Sequence, residues 1–202
     1  MNVFLSFKLE QSKNFFHCAL QYWQFRRLSA IAGFMLSVLI ETRNDEDALA
    51  RTLASLVGAA VEGLVREVIV CDAGSTDQTH KVADHAGCHF LTRAPLANAV
   101  RQAKGDWLLL IEPGARLDGE WMGAVVAHLS QTTQPARFTR ARGSGRPLLS
   151  RVFTRRNPLA DGVVINKAQA LSRAASGASA RAMVRGLSMK RLKAEIQAAP
   201  HR

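Results

Sequence analysis

Cysteine is scarce in this 202-residue sequence, which contains three copies of it. Cys18, Cys71 and Cys88 have neither a paired spacing nor the spacing of metal ligands. Cys71 and Cys88 lie within apolar stretches, where a thiol is usually buried and inert. The pattern therefore predicts reduced thiols in a cytoplasmic protein and argues against a secreted domain held together by disulfides.

Long apolar runs and two common nucleotide-binding fingerprints are missing as well. No uninterrupted apolar run reaches the roughly 18 residues that a transmembrane helix needs. The sequence contains neither a G-x-x-x-x-G-K-[ST] phosphate loop nor a G-x-G-x-x-G motif, which argues against a P-loop NTPase and an ordinary dehydrogenase. With 48% hydrophobic and 21% charged residues, the composition is typical of a soluble globular protein.

Charge is distributed unevenly along the chain, whose formal net charge is +11. Residues 134–202 contain 15 Lys and Arg against two acids, Asp161 and Glu195, so the basic character belongs to the last third. Such a surface suits an anionic partner, namely phosphates, a membrane surface or nucleic acid, and the alternative is a solvated arginine-rich tail. Nucleic acid is the least favoured partner, because Phe138 and Phe153 alone would have to form a stacking platform.

Residues 1–34 are aromatic and mildly basic, but they lack the continuous apolar core of a signal peptide. Met35 stands directly before the first predicted strand. We interpret Met35 as the native start and residues 1–34 as an N-terminal extension. A helix lying in a membrane interface is the alternative, since aromatic residues and Arg26-Arg27 suit that position.

From Met35 onward, short apolar runs alternate regularly with segments of helical spacing. The apolar runs predict four strands, at residues 36–40, 66–71, 89–91 and 107–111. Helices are predicted between them, and another over residues 118–129. Buried strands that alternate with helices indicate an α/β fold with a mostly parallel, doubly wound sheet flanked by helices, over residues 35–133.

The remaining third, residues 134–202, is expected to complete or flank this fold. The segment RFTRARGSGRP (137–147) is typical of a loop or an edge strand, because it is basic and rich in turn formers. DGVVINKAQAL (161–171) predicts one more short strand followed by a helix. The end of the chain, residues 185–202, is predicted to form a basic helix.

The loop CDAGSTDQT (71–79) carries the strongest single chemical signal. Asp72 ends a buried strand, Gly74 permits a tight turn, and the polar residues after it can cap the next helix. Ligands of doubly wound sheets bind at the carboxyl ends of the strands, where a carboxylate can accept hydrogen bonds from a base or a sugar. The alternative is that Asp72 only ties the turn.

Three segments together resemble the nucleotide-sugar-binding half of the family 2 glycosyltransferases, which have the GT-A fold. They are MLSVLIETRNDEDALARTLASL, VREVIVCDAGSTDQTHKVADHAG and RQAKGDWLLLIEPGARLDGEW. Their order and spacing follow the family pattern of P-T-Y-N-E after a strand, then V-V-D-D-G-S-T-D-x-T, then G-D-W-L-L-F-L-D-A-D. The resemblance covers residues 35–122.

The resemblance implies roles for individual residues. Thr42 and Asn44 fall where the family's first loop contacts the nucleotide, and Asp72 falls on the residue that usually contacts the base. Arg101 and Lys104 lie in the region that often presents a basic side chain to the diphosphate. Fainter similarity to a later family segment places Asp161 where the catalytic base or an acceptor-binding aspartate can lie, and the alternative is a turn aspartate before Gly162.

The sequence also departs from the family at several positions. Glu41 replaces the proline, Arg43 the tyrosine and Ala73 the second aspartate of the second motif. The family's metal-binding D-x-D becomes the tripeptide Glu112-Pro113-Gly114, so the terminal aspartate that helps to hold a divalent ion is a glycine.

Three interpretations of the altered D-x-D remain open. Cations of the protein, such as Arg116, Arg43 or the basic last third, could replace the ion. Glu112 could instead remain as a lone, weaker ligand of Mn²⁺ or Mg²⁺. In the third interpretation catalysis is lost and the protein binds or regulates.

The expected function is transfer of a sugar from a nucleoside diphosphate sugar to an acceptor hydroxyl, with Asp161 as the candidate base. The basic last third suggests an anionic or membrane-linked acceptor, which a cytoplasmic protein would meet at the inner membrane face. The alternatives are a non-catalytic nucleotide-binding or regulatory module on the GT-A fold and, less favoured, a protein that binds anionic surfaces or nucleic acid.

Overall fold

The computed structural model describes residues 34–118, 120–141, 158–174 and 179–199. The predictions for the N-terminal extension therefore lie outside the described residues, apart from Phe34, which packs against the core. The strands are β1 (Leu36–Thr42), β2 (Val65–Asp72), β3 (His89–Thr92), β4 (Trp107–Leu110), β5 (Arg116–Asp118), β6 (Ala136–Arg140), β7 (Val163–Asn166) and β8 (Lys190–Gln197). The helices are α1 (Glu46–Val61), α2 (Thr79–His85), α3 (Leu96–Gln102), α4 (Trp121–Leu129), α5 (Lys167–Arg173) and α6 (Ala180–Val184), with a 3₁₀ turn at Pro158–Asp161.

The eight strands form one mixed sheet in the order β3-β2-β1-β4-β7-β6-β8-β5. Strands β3, β2, β1 and β4 run parallel to one another. Strand β7 is antiparallel to both β4 and β6, and β5 is antiparallel to β8. The predicted α/β fold is confirmed, and the basic last third supplies three strands of the same sheet.

Helices cover both faces of the sheet, as the doubly wound prediction requires. On one face, side chains of α1, α2 and α4 pack against Val38 and Ile40 of β1. On the other face, side chains of α3, α5 and α6 pack against Leu39 of the same strand. Because β1 is buried on both faces, its sequence reads as a continuous apolar run rather than an alternating one. In the described part of the chain, no helix combines the length and apolar character needed to cross a bilayer.

The predicted C-terminal helix is wrong, because residues 190–197 form strand β8. Leu192, Ala194 and Ile196 are buried while the charged residues between them are exposed, which is the period of a strand. Segment 137–140, expected as a loop or edge strand, belongs to β6, which lies between β7 and β8 inside the sheet. The rest of that segment lies outside the described residues. The strand and helix predicted within 161–171 are present as β7 and α5.

Gly105 fixes how closely the start of β4 approaches β1. A Cβ atom at Gly105 would lie 2.5 Å from the Met35 carbonyl oxygen and 2.8 Å from the Ser37 nitrogen, both backbone atoms that cannot swing away. By contrast, a Cβ at Gly58, within helix α1, would meet nothing within 4 Å. Alanine at Gly58 can therefore serve as the control for alanine at Gly105.

We predict opposite effects on stability from alanine at these two glycines. Gly105→Ala should lower the free energy of unfolding by about 1–3 kcal/mol, because the backbone of β1 or β4 must shift. Gly58→Ala should raise it by about 0.5–1 kcal/mol through better helix propensity. Urea denaturation of both variants checks this, and a Gly105→Ala protein as stable as the parent would contradict the described packing of β4 on β1.

Candidate functional site

The carboxyl ends of β1, β2 and β4 meet at one edge of the sheet, which we call the carboxyl edge. Thr42 pairs with Asp72 at the ends of β1 and β2, and Leu39 pairs with Leu110 at the end of β4. The three loops that follow these strands therefore lie side by side. Strand β7 enters at the same edge, since its first residue, Val163, pairs with Leu110.

Hydrogen bonds through Asn44 join the loop after β1 to the loop after β2. The Asn44 N–H donates to Ser75 Oγ at 2.8 Å, and the Thr76 N–H donates to Asn44 Oδ1 at 2.7 Å. Asn44 has a φ of 54°, a left-handed conformation that asparagine tolerates better than most residues. Asn44 therefore locks two of the three loops together.

The first turn of α1 is also held from the neighbouring loop. Asp77 Oδ2 accepts from the Glu46 N–H at 3.3 Å, and Thr79 Oγ1 accepts from the Asp45 N–H at 3.0 Å. Asp45 is the N-cap residue of α1 but makes no side-chain capping bond. Its carboxylate instead accepts from the Thr42 hydroxyl at 3.2 Å. Thr42, a predicted nucleotide contact, is thus buried and bonded within its own loop.

Asp72 ends β2 at this edge and ties the turn that follows it. Its Oδ2 accepts from the N–H groups of Gly74 and Ser75, both at 2.9 Å, and its Oδ1 accepts from the Ser75 hydroxyl. Asp72 therefore does tie the turn, which was the alternative to a role in ligand binding. The carboxylate borders a cleft of about 400 Å³, within the range of about 300–1,000 Å³ that ligand pockets usually occupy. The cleft is lined by Glu41, Cys71, Asp72, Ala73, Arg93, Ala94 and Pro95.

Arg93 is a cleft residue that the sequence did not single out. Its N–H donates to the Asp72 carbonyl at 2.7 Å, and its φ is 50°, in the left-handed region. The side chain folds over the turn, because a Cβ at Gly74 would lie 3.2 Å from Arg93 Nε. Arg93 thus places an exposed cation beside Asp72.

Glu41 brings a carboxylate into the cleft at the position where the family has proline. Burial raises the pKa of Glu41, although the Ala180 N–H, 2.8 Å from Oε2, and the charge of Arg181 both lower it. Burial, followed by the negative charge of Glu41, raises the pKa of the Cys71 thiol to about 12. Cys71 is therefore a protonated wall residue and not a nucleophile.

The altered D-x-D segment lies beside Glu41, after β4. Glu112 is followed by Pro113 and Gly114, and Gly114 has a φ of 92°, which strongly favours glycine. The Gly114 N–H donates to Ala48 O at 3.0 Å and to Thr52 Oγ1 at 2.8 Å, so the tripeptide turns toward α1.

These residues do not fit a divalent cation. A guanidinium nitrogen of Arg181 lies 3.8 Å from Glu112 Oε1, where an ion bound to that carboxylate would meet a positive charge. Among the described residues, no cluster of three His, Cys, Asp or Glu could hold a metal. The role of Glu112 as a metal ligand therefore stays a prediction, and its carboxylate faces the Arg181 guanidinium.

Arg101, Lys104 and Arg116 were predicted to bind substrate, but the structure does not bring them to the cleft. The Lys104 ammonium lies 3.8 Å from Glu67, which pairs with Ser37 near the start of β1. Lys104 is thus at the opposite edge of the sheet, five residues or about 16 Å along the strand from Asp72.

The other two cations have local surroundings of their own. Arg101, in the last turn of α3, donates to Asn98 at 2.9 Å. Arg116 is an exposed residue of β5, the last strand at the far side of the sheet. A helix that connects parallel strands runs back toward their amino ends, which explains why the last turn of α3 lies away from the carboxyl edge.

Asp161, the candidate base, lies at the carboxyl edge and forms ion pairs with two arginines. Its Oδ2 accepts from Arg137 Nη1 at 2.8 Å, and its Oδ1 accepts from Arg140 Nε at 2.5 Å. Gly162 after it has a φ of 59°, so Asp161 also ends a tight turn. A base needs an oxygen within reach of the acceptor hydroxyl, and both oxygens already accept from arginine. Its role as the base stays a prediction.

Residues 37–156, more than half of the chain, match Glycosyl transferase family 2. The protein belongs to this family. Family membership agrees with the resemblance found in the three sequence motifs and with the layout of the carboxyl edge.

One curated protein is similar to part of this chain. A curated glucosyl-3-phosphoglycerate synthase of Mycolicibacterium paratuberculosis is 36% identical over 89 residues, 43% of this chain. The aligned region spans 27% of that relative, about a quarter of its length.

Solved structures agree on the fold. The glucosyl-3-phosphoglycerate synthase of M. tuberculosis superimposes with a TM-score of 0.64 at 19% identity, over 89% of this chain and 76% of the other. A second structure, of the Mycobacterium tuberculosis enzyme with Mn²⁺, UDP-glucose and phosphoglyceric acid, gives a TM-score of 0.53 at 23% identity, over 72% and 61%. At such identities the likeness establishes the fold alone.

We predict that Glu41 makes stability depend on pH in a defined direction. Its folded-state pKa lies above the ordinary value of 4.5, so its contribution to stability is complete below that value. That contribution is lost as the pH rises through the raised pKa. The glutamine of Glu41→Gln does not titrate. The melting temperature of this variant should therefore rise relative to that of the parent as the pH increases from 4 to 7.

Thermal unfolding across that pH range measures the effect. Glu195→Gln removes an exposed carboxylate from β8 and serves as the control for the loss of one carboxylate. A Glu41→Gln protein that loses stability relative to the parent as the pH rises would contradict the assigned burial of this carboxyl.

Proposed function

We propose that the protein transfers a hexosyl group from a nucleoside diphosphate sugar of the UDP-glucose type to an acceptor hydroxyl. The observation that carries the proposal is the cleft at the carboxyl edge, with Asp72 at its centre and two loops cross-bonded through Asn44. Family membership supports the reaction class. The name of the curated relative and the UDP-glucose bound to its M. tuberculosis counterpart support the donor.

In this proposal the nucleotide lies in the cleft, with its base toward Asp72. The turn at Asp72 already gives Oδ2 two N–H donors, whereas Oδ1 accepts only from the Ser75 hydroxyl and has a further lone pair that can accept from a base or a ribose. Asn44 and Thr42 hold the adjoining loop in position, which is the rigid support that a binding site needs. The diphosphate then points along the edge toward Glu112.

The chemistry requires one bond to form and one to break at the anomeric carbon. The acceptor oxygen bonds to that carbon, while the bond from the carbon to the donor phosphate oxygen breaks and leaves its electron pair on the diphosphate. The acceptor proton passes to a base. Asp161 is the candidate, and each of its oxygens accepts from one arginine and keeps a lone pair that can take up the acceptor proton.

An anionic acceptor suits the surroundings of Asp161. Arg137 and Arg140 are about one-quarter to one-third exposed, so their guanidinium groups are partly open to solvent while Asp161 orients them. Arginine binds carboxylate and phosphate through paired hydrogen bonds. The relative's name contains phosphoglycerate, a compound of that charge type, which supports the same class of acceptor here.

We predict that Asp72 is needed for nucleotide binding. Titration of the full chain with UDP, GDP or dTDP should stabilise it by about 2.7 kcal/mol at a hundredfold excess over Kd. For a chain of this size that corresponds to a rise of roughly 5–10 °C in Tm. Asp72→Ala should melt lower by itself, because two N–H groups lose their acceptor, and should lose most of the ligand-induced rise.

The control is Asp84→Ala, which removes an exposed carboxylate from α2 and should keep the full rise. The ligand-induced change is compared with each variant's own melting temperature, so a loss of stability is not mistaken for a loss of binding. A full rise in Asp72→Ala would contradict the placement of the base. No rise of the parent with any of the nucleotides would contradict the proposed function.

A further inference from the structure

One cation of the chain itself lies between two carboxylates of the carboxyl edge. Arg181 Nη2 is 3.8 Å from Glu112 Oε1. The charge of Arg181 also acts on Glu41, near the end of the neighbouring strand β1. A single guanidinium therefore faces acids from two adjacent strands, β1 and β4, although it lies far from both in the sequence.

The backbone around Arg181 is anchored, while its charged end is open. The Ala180 N–H donates to Glu41 Oε2 at 2.8 Å, which ties the start of α6 to the end of β1. Ala180, Met183 and Val184 are buried in the core on that face of the sheet. The Arg181 side chain is 62% exposed, so an anion in the site can reach the guanidinium without displacing the core.

The same edge lacks one of the carboxylates with which the family pattern holds a divalent ion. Magnesium demands near-octahedral oxygen ligands, and manganese likewise suits oxygen sites. Glu112 offers one carboxylate, and Gly114 has no side chain where the family pattern has aspartate. The φ of 92° at Gly114 makes any side chain there strained, so the missing ligand is excluded by the backbone as well as by the sequence.

We propose that Arg181 takes the place of the divalent ion and binds the donor diphosphate, so that the nucleotide sugar is held without a metal. This inference rests on the proposed function, because it assigns the partner of the diphosphate in that site. The planar guanidinium can donate two parallel hydrogen bonds to phosphate oxygens. Glu41 and Glu112 would orient it before the substrate arrives.

The role of Arg181 is then to neutralise charge on the leaving group. When the bond between the anomeric carbon and the phosphate oxygen breaks, the electron pair stays on the diphosphate. A fixed cation at that position stabilises the developing charge more than it stabilises the bound donor, which is the condition for speeding the transfer. Arg181 would thus touch the reacting group directly.

Calorimetric titration of the full chain with UDP, in EDTA and in Mn²⁺, tests the inference. The Kd of the parent for UDP should agree within about twofold between the two conditions, and Arg181→Ala should weaken UDP binding about 10–100-fold, the usual effect of losing a charge-assisted hydrogen bond. Arg181→Lys keeps the charge but loses the planar guanidinium. Its Kd for UDP should lie between those of the parent and Arg181→Ala. UMP, which lacks the second phosphate, should bind the parent and Arg181→Ala within about twofold of each other.

The matched control is Arg185→Ala, which removes the same charge from an exposed position four residues on and should bind UDP like the parent. A requirement for Mn²⁺, or Arg181→Ala behaving like Arg185→Ala, would overturn the inference and leave nucleotide binding intact. If neither UDP nor UMP binds under either condition, the proposed function itself is overturned, and the inference with it.

Discussion

The parallel pairing of β1 with β2 on one side and β4 on the other is the constraint on which the rest of the structure depends. Leu36, Val38 and Ile40 of β1 belong to one core cluster and Leu39 belongs to the other, so a slip of one residue would exchange the side chains that the two clusters are packed around. The register ends the three strands at one edge. Gly105 allows β4 to approach β1 closely enough for that pairing.

The carboxyl edge is built so that its polar residues hold one another before any ligand arrives. Asn44 bonds to the loop after β2, Asp77 caps α1 from that loop, and Asp72 ties its own turn. Each of these contacts joins segments about 30 residues apart or closes a tight turn. The same hydrogen bonds therefore contribute to the stability of the fold and set the geometry of the site. This double role limits how far the site can move.

Much of the fold could be predicted from the sequence, because strands buried on both faces leave continuous apolar runs. β8 could not, since its buried residues Leu192, Ala194 and Ile196 are separated by charged residues that also suit a helix, and its pairing with β6 is non-local. Asp72 and Asn44 were found through local motifs. The position of Lys104 could have been corrected from topology alone, because the helix before it returns to the amino edge.

The residues of the site that the sequence did not reveal are those brought in by long-range packing. Arg181 lies 140 residues after Glu41, on a short helix with no motif, and the hydrogen bond from Ala180 to Glu41 and the burial of Ala180, Met183 and Val184 hold that helix in place. Glu41 was seen only as a departure from the family pattern. In the structure Arg181 lies 3.8 Å from Glu112, and the N–H of the residue before it donates to Glu41. The proposal gives Arg181 the place that the family pattern gives to a metal.

The most direct measurement of this account is a crystal structure of the protein grown with UDP and Mn²⁺, with diffraction recorded at the manganese absorption edge. We expect UDP in the cleft at Asp72, the Arg181 guanidinium on the second phosphate, and no anomalous peak beside Glu112. A manganese peak coordinated by Glu112 and the diphosphate, with Arg181 turned away, would contradict it.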